Sequence, residues 1–539
     1  MGLARRGIGA IAATTIGVVF ANGLATLQQA WLGVPVHGVV SVLVLPILIA
    51  GVVSWWKPSP LIAGPSAVAG GALLGALEWL PWAFLPLLFL VGLVVGAVTI
   101  RVAHELPPVV DGAWQRSRGK VIGWAVLGLF MLLQVSRLSV FMTDRDNTWG
   151  STFPPIDFTV THMCMGSYVE AADLTRQDAA NIYSPDHYPS FGISSAEDID
   201  TTVVGLQQYF DDAFLYPPPF LLLPRMWLGL SNDFLDIRSV WFAIQLLAFA
   251  AFAVFVARWV GGRAGTWALW LMPLLLASMP TMFNFQFGQA HLLTIWVTLA
   301  AMVAFESRRP VVGGALLAWG IASKIFPGVL LLYLLFQKRW SEVAWTALFG
   351  GFLVGITLLV TGTTPVIQFL TYMLPRLESG DAFSFVNDAL PIVTNLSIPG
   401  TVWKLDYLGF EDGGALLGPL SLIYTVVLVA VVWFGSRLEL DRAGRLQVWL
   451  ALLIFASLRS PIVPIYGAVP ILWLMTLEFD RVETAKGVAL FAGSWIFING
   501  LPPTPVPAIT IALYGVAQLA VLYWVLRPLR RGHGMQPRT

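Results

Sequence analysis

The sequence predicts an all-α, polytopic integral membrane protein. Of its 539 residues, 57% are hydrophobic and only 11% are charged, whereas soluble domains carry about 25% charged residues. The apolar residues fall in blocks of about 20, the helix length that crosses a hydrocarbon core of roughly 30 Å. The net charge of +1 gives no sign of a nucleic-acid partner, and the single cysteine, Cys164, excludes an intramolecular disulfide.

The apolar blocks predict about 16 membrane-spanning helices. Two of them, 311–323 and 325–337, are short enough to form a helical hairpin that only partly crosses the membrane. The full set of predicted spans is 9–31, 36–54, 61–81, 83–102, 121–142, 237–257, 265–281, 288–305, 311–323, 325–337, 343–362, 415–435, 445–458, 464–479, 487–501 and 506–526.

Three parts of the chain differ in character. Residues 1–120 form an apolar module of four helices that is nearly free of ionisable groups, 121–526 form the main membrane domain, and 527–539 form a tail. Lys and Arg residues collect in the loops of one side, which orients both termini toward the cytoplasm. The opposite, outer face then carries the loops 143–236 and 363–414.

The loop 143–236 is the longest polar interruption, and it holds the densest cluster of carboxylates in the chain. Loops of that length between helices usually have a function. Within it, the stretch 214–230 is apolar enough to span. However, four prolines interrupt this stretch, and a span here would invert the charge alternation that follows. We therefore expect an interfacial or re-entrant segment along the outer face.

Asp157 is the candidate catalytic carboxylate. It lies in Pro154-Pro155-Ile156-Asp157-Phe158, about a dozen residues after a helix that ends near Met142, so it would sit just above the membrane. There it could take a proton from a hydroxyl, or it could simply cap a helix. Asp144 and Asp146 are rival bases, or ligands for a divalent metal. No His/Cys cluster has zinc spacing.

Two cations near the outer face are candidates for binding phosphate. Lys324 lies between two short apolar stretches, where a lysine usually has an anionic partner such as a lipid phosphate, unless it snorkels to the interface. Arg459 follows an apolar helix, and it could bind phosphate bidentately or pair with a loop carboxylate.

Amides gather at the same face. Gln286, Gln289 and His291 lie around the outer end of a helix pair, where amides either join helices or bind sugar hydroxyls. The sequence contains neither GxxxxGK[ST] nor a GxGxxG after a strand, so no nucleotide-binding domain is evident. An activated sugar would therefore have to arrive on a lipid.

The order of these motifs resembles glycosyltransferase family 87, the polyprenol-phosphate-mannose-dependent α-mannosyltransferases of the GT-C architecture. The similarity extends over roughly residues 121–526. It rests on Asp157-Phe158, Tyr183-Ser184-Pro185, Phe214-Leu215-Tyr216-Pro217-Pro218, Phe287-Gly288-Gln289, Gly313-Gly314-Ala315, Ser323-Lys324-Ile325-Phe326-Pro327, Thr394-Asn395-Leu396-Ser397 and Ser460-Pro461.

The resemblance implies an inverting enzyme that moves mannose from a polyprenyl phosphate to a glycolipid or glycan hydroxyl at the outer face of the cell membrane. Asp157 is the expected general base, and Lys324 and Arg459 are expected to hold the donor phosphate. No metal or cofactor is required. The residues expected to contact the sugar or the acceptor are Gln286, Gln289, His291, Asn395, Tyr216 and Tyr466, with Trp227 beside Tyr216 as an aromatic floor.

The chain also departs from the family pattern. Four helices precede the similar region, and Ile462-Val463-Pro464-Ile465-Tyr466 stands where members often have an aromatic-His pair. The alternative function is a transporter or flippase for a lipid-linked saccharide, which would line a path through the bilayer with ionisable groups. Mid-helix positions here are almost free of such groups. A non-catalytic scaffold is a third alternative.

Overall fold

The computed structural model describes residues 62–69, 118–152, 160–188, 201–209, 213–383, 389–410, 413–500 and 506–533, apart from a few single positions. All regular secondary-structure elements of three or more residues in these ranges are helices. The α-helices, in chain order, are α1 (Arg118–Thr143), α2 (Cys164–Leu174), α3 (Leu222–Leu228), α4 (Phe234–Val260), α5 (Gly262–Trp270), α6 (Met272–Leu276), α7 (Met279–Gln286), α8 (His291–Glu306), α9 (Pro310–Ser323), α10 (Gly328–Phe336), α11 (Trp340–Thr361), α12 (Thr364–Gln368), α13 (Leu374–Ser379), α14 (Ala389–Val393), α15 (Trp403–Asp406), α16 (Leu417–Gly435), α17 (Arg442–Ser457), α18 (Val469–Glu478), α19 (Ala485–Ile498) and α20 (Pro507–Leu526).

The chain divides into two compact units. One comprises residues 1–161 and 233–278, and the other comprises 162–232 and 279–539. The predicted boundary near residue 120 stays a prediction, because most of the residues before 118 lie outside the described ranges.

In the first unit, α1 packs against α4 and α6. The buried guanidinium of Arg238 donates to the carbonyl of Phe141 (2.9 Å) and lies 4.3 Å from the centre of that ring. Ser239 donates to the carbonyl of Met142 (3.0 Å). These bonds satisfy carbonyls that the last turn of α1 would otherwise leave without partners.

The predicted span 265–281 is not continuous. Helix α5 ends at Trp270, and α6 covers only Met272–Leu276. Pro273 lacks an N–H, and its ring clashes with the carbonyl four residues earlier, so a straight helix cannot pass through this position.

In the second unit, α17 and α18 form the centre. All residues of α18 and the stretch 446–457 of α17 are buried, and both helices pack against α20. Helices α8, α9 and α11 form a second closely packed group. At one end of the unit, Glu306 pairs with Arg339 (2.8 Å) and Arg445 (2.6 Å), which joins α8 to the starts of α11 and α17.

Four helical stretches in the described part of the chain are long and apolar enough to cross a membrane: Phe234–Val260, Trp340–Thr361, Gly413–Gly435 and Pro507–Arg530. The number becomes five if α7 and α8, which are bent by 102° relative to each other, count as one broken span. This agrees with a helical membrane protein, whereas the predicted count of about 16 is not confirmed. The predicted spans 9–31, 36–54 and 83–102 lie outside the described residues, apart from isolated positions.

The stretch 214–230 does not form a spanning helix. It contains a 3-10 helix of four residues, Pro218–Leu221, followed by the seven residues of α3. A span needs about 20 residues, so the helices of this stretch are too short to cross, and its interfacial or re-entrant position stays a prediction.

Candidate active site

The break between α7 and α8 supplies the central residue of the site. Gly288 has φ +65°. Its N–H donates to the carbonyl of Phe285 (3.1 Å), and the N–H of Gln289 donates to that of Asn284 (3.0 Å). This is the Schellman pattern, in which a left-handed residue ends a helix and turns the chain sharply. The turn places Gln289 in a short polar connection between two bent helices.

The start of α2 holds this break in place. The N–H of Met165 donates to the carbonyl of Phe287 (3.0 Å), and the His162 ring meets the Phe287 ring edge-on, with centroids 4.8 Å apart. A Cβ at Gly288 would lie 2.6 Å from the Cβ of Met165. A glycine is therefore required here both for its positive φ and for the close approach.

Four side chains converge on the amide of Gln289. Its Oε1 accepts from Tyr168 (3.0 Å), Tyr216 (3.3 Å) and Lys324 (3.2 Å), and its Nε2 donates to the hydroxyl of Tyr466 (3.0 Å). The hydroxyls of Tyr168 and Tyr216 are 2.9 Å apart, and the Lys324 ammonium lies 4.9 Å from the centre of the Tyr216 ring. We call these five residues the Gln289 cluster.

Separate segments position the members of the cluster. Tyr168 comes from α2 and is fully buried. Tyr216 precedes the 3-10 helix Pro218–Leu221, and its carbonyl accepts from the hydroxyl of Tyr183 (3.1 Å). Lys324 follows the end of α9 in an extended conformation, and Tyr466 lies in the 3-10 helix Ile465–Ala468, which packs against α7.

His291 borders the cluster. Its ring lies 5.2 Å from that of Phe326 and 6.5 Å from that of Tyr466. Its Nε2 is buried and makes no hydrogen bond within the described part of the chain. Buried polar atoms nearly always have a partner, so this nitrogen can accept a hydrogen bond from a water molecule or a ligand.

The chemistry of the cluster combines one ammonium with neutral hydroxyl and amide groups. Burial and the neighbouring Tyr216 raise the pKa of the Tyr168 phenol well above its ordinary value. Tyr168 therefore stays protonated and can donate. Tyrosine hydroxyls and an amide match the donors and acceptors of a sugar, and the ammonium of Lys324 can bind an anion such as a phosphate.

Arg459 lies in the loop between α17 and α18, seven residues before Tyr466. Its Nε donates to the hydroxyl of Thr425 (2.7 Å), and it forms no ion pair with any residue of the described ranges. No hydrogen bond joins it to the Gln289 cluster. Its two terminal nitrogens keep the geometry that binds phosphate oxygens bidentately.

Asn395 connects two loop segments. Its Nδ2 donates to the carbonyl of Pro461 (2.7 Å), and its Oδ1 accepts from the N–H groups of Ser397 and Val463 (both 2.9 Å). These bonds give its amide a bracing role. Gln286 is fully buried in the last turn of α7.

Asp157, the predicted general base, lies outside the described residues, so its role stays a prediction. Asp144 accepts from the N–H of Asp146 (3.1 Å) and from the amide of Asn147, and so stabilises a turn. The described residues hold no group of three His, Cys, Asp or Glu side chains that could bind a metal ion.

Tyr168 is the cluster member that sequence reasoning missed. It lies in a short, wholly buried helix, where an aromatic residue usually serves packing. Its position in the outer loop beside the carboxylates was the one available signal.

The model of glycosyltransferase family 87 matches residues 214–461. The resemblance to family 87 is confirmed. The matched range is narrower than the predicted 121–526, but it contains Tyr216, Gln289, Lys324 and Arg459. The same match supports the prediction of an enzyme of the glycosyltransferase type.

Curated relatives of this chain carry compatible names. One is the polyprenol-phosphate-mannose-dependent alpha-(1-2)-phosphatidylinositol pentamannoside mannosyltransferase of Mycolicibacterium smegmatis, 27% identical over 41% of this chain and 51% of the relative. Another is the polyprenol-phosphate-mannose-dependent alpha-(1-2)-phosphatidylinositol mannoside mannosyltransferase of Mycobacterium tuberculosis strain H37Rv, 26% identical over 54% of this chain and 69% of the relative. The chain thus spans about half of the first relative's length and about two thirds of the second's. No solved structure matches the chain significantly.

Proposed function

We propose that this protein transfers mannose from a polyprenyl-phosphate mannose donor to a hydroxyl of a lipid-linked acceptor at the outer face of the membrane. The observation that carries the proposal is the family 87 match over residues 214–461, which contains Tyr216, Gln289 and Lys324 of the cluster. The names of the relatives favour a phosphatidylinositol mannoside as the acceptor.

On the donor side, Lys324 and Arg459 bind the phosphate. As the bond between the anomeric carbon and the phosphate oxygen breaks, negative charge grows on the departing polyprenyl phosphate. Fixed cations stabilise that charge more in the transition state than in the ground state, which is how they accelerate the reaction. Because the leaving group is a single phosphate, the mechanism needs no metal or cofactor.

On the acceptor side, Asp157 takes the proton of the attacking hydroxyl. The acceptor oxygen bonds to the anomeric carbon from the face opposite the phosphate, so a β-linked donor gives an α-linked product.

Sugar hydroxyls are oriented by the neutral members of the cluster. Gln289, Tyr168 and Tyr466 offer both donors and acceptors, and His291 offers its buried Nε2. Gln286 is fully buried, and the amide of Asn395 bonds to backbone groups. We therefore assign both residues a role in holding the site in place.

The test of the base is Asp157→Asn, reconstituted in liposomes with radiolabelled polyprenyl-phosphate mannose and a phosphatidylinositol mannoside. We expect labelled glycolipid formation to fall by a factor of about 10² to 10⁴. Asp178→Asn, a change at an exposed carboxylate of the same loop, is the control and should keep full activity. Full activity of Asp157→Asn would exclude Asp157 as the base.

The test of the donor site is Lys324→Ala. We expect a higher KM for the donor and little change in that for the acceptor, whereas the exposed Lys486→Ala should change neither. Unchanged donor dependence would move the phosphate site elsewhere. The same assay distinguishes transfer from transport. A transporter would move the labelled lipid across the membrane without releasing polyprenyl phosphate.

A further inference from the structure

Lys404 is a buried lysine to which neither the cluster nor the proposed mechanism assigns a role. It lies in α15, within the loop between α11 and α16, and its side chain is 1% exposed. Its Nζ is buried and makes no hydrogen bond or ion pair within the ranges that the structure describes. A buried ammonium without a counterion is among the most costly groups in a protein, so its presence calls for an explanation.

The backbone before Lys404 is held in place. The N–H of Leu396 donates to the carbonyl of Val463 (3.1 Å), and the N–H of Ile398 donates to that of Leu458 (3.3 Å). At Gly400, a Cβ would come within 1.9 Å of the Pro461 carbonyl oxygen. The segment that carries Lys404 is thus braced against the loop that contains Arg459.

Burial alone lowers the pKa of Lys404 to about 8. Among the residues that the structure describes, no charged group contributes to this shift. At neutral pH the group is still mainly protonated, and the folded protein therefore holds a dry positive charge that an anion could neutralise.

The residues directly after Lys404 have lipid-facing character. Tyr407 is 38% exposed, Leu408 is 43% exposed and Phe410 is 63% exposed. Exposed aromatic and apolar side chains beside a loop end are typical of the membrane interface. At a membrane interface, the anions available to a lysine are mainly the phosphates of lipids.

We propose that Lys404 anchors a second anion subsite, which binds the phosphate of a lipid substrate. The proposal rests on the proposed function, which supplies two such lipids. The phosphate is either the phosphomonoester of the polyprenyl donor or the phosphodiester of the phosphatidylinositol acceptor. Lys404 lies within the family 87 match.

The experiment measures binding rather than turnover. Wild type, Lys404→Met and Lys404→Gln are purified in nanodiscs, and the affinities for polyprenyl phosphate and for phosphatidylinositol are measured separately by calorimetry. We expect both variants to bind one of the two lipids at least tenfold more weakly, and the lipid affected identifies the source of the phosphate. Lys486→Met, an exposed lysine elsewhere, is the control and should bind both lipids normally.

A thermal melt of the same variants distinguishes the loss of a lipid-binding site from the loss of folded structure. Because Lys404→Met removes an uncompensated buried charge, we expect its melting temperature to rise even as lipid binding falls. Unchanged binding of both lipids would overturn the proposal, and so would weaker binding accompanied by a lower melting temperature in both variants. Wild-type protein that binds lipid through Lys404 but transfers no mannose would refute the proposed function alone.

Discussion

Replacement of Gln289 by Met tests the central geometry of the site. Methionine keeps the length of the side chain but removes the amide, which is 2% exposed and makes hydrogen bonds to four side chains. The hydroxyls of Tyr168 and Tyr216 still have each other as partners at 2.9 Å. Lys324 and Tyr466 each lose a partner.

The magnitude follows from those two losses. A buried polar group without a partner costs about 1–3 kcal/mol. Lys324 and Tyr466 are only half-buried, so water can satisfy part of the lost bonding. We expect Gln289→Met to lower the free energy of unfolding by about 2–4 kcal/mol and to raise the KM for the donor, because the Lys324 ammonium is no longer held in place.

The assay pairs thermal unfolding in detergent with mannose transfer at varied donor concentration. Gln447→Met is the matched control, since Gln447 is also buried and donates to the carbonyl of Leu477 (2.8 Å) in the helical centre. It should lower stability and leave the donor KM unchanged. Wild-type stability and donor KM in Gln289→Met, or an equal rise in donor KM in Gln447→Met, would refute the reasoning.

Three further predictions concern stability and are checked by thermal unfolding. Asn395→Ala removes two hydrogen bonds between the two braced loops and one within its own loop, and we expect a loss of about 2–4 kcal/mol. Lys338→Gly should stabilise by up to about 1 kcal/mol, because Lys338 has φ 58° after α10, a conformation that favours glycine. The pKa of Lys404 is about 8 when folded and 10.5 ordinarily, so the unfolded chain holds the proton over that window. Stability should therefore rise with pH from 8 to 10.5, by at most about 3 kcal/mol, and this rise should be absent in Lys404→Met.

Long, unbroken apolar runs were the most predictable part of the fold. The predicted spans 237–257, 343–362, 415–435 and 506–526 correspond within a few residues to α4, α11, α16 and α20. In these runs the hydrophobic length alone defines the helix.

Near residue 285, where polar and apolar residues alternate, the break between two helices was predicted at the wrong position. A turn was expected at 282–287, but those residues belong mainly to α7, and the chain turns at 287–290 instead. The signal was the single residue Gly288, whose positive φ ends the helix. Polar residues such as Asn284 and Gln286 suggested a loop because their burial inside the second unit could not be read from local sequence.

In the site, too, the sequence identified polar side chains but not the hydrogen-bond partners that they take. Gln289 and Lys324 were predicted from their positions at the outer face, and Tyr216 and Tyr466 from the family resemblance. The structure brings all four together. The partner that an amide takes cannot be read from the chain, because backbone and sugar offer the same donors and acceptors. Asn395, whose contact with sugar stays a prediction, braces backbone segments that lie 66 residues apart in the chain.

The bonding at Gln289 has a consequence for ligand binding. Three donors, from Tyr168, Tyr216 and Lys324, lie within 3.3 Å of its Oε1, whereas an amide oxygen has two lone pairs. The hydroxyls of Tyr168 and Tyr216 lie 2.9 Å apart and carry one hydrogen each, so one of them donates to the other. The other hydroxyl and Lys324 then fill the two lone pairs of the oxygen. An ammonium has three hydrogens, so Lys324 can donate to an oxygen of an arriving phosphate while its bond to Gln289 stays in place. Such preorganisation reduces the reorganisation needed on binding, and it makes Lys324, the one charged member of the cluster, the residue best suited to bind a phosphate.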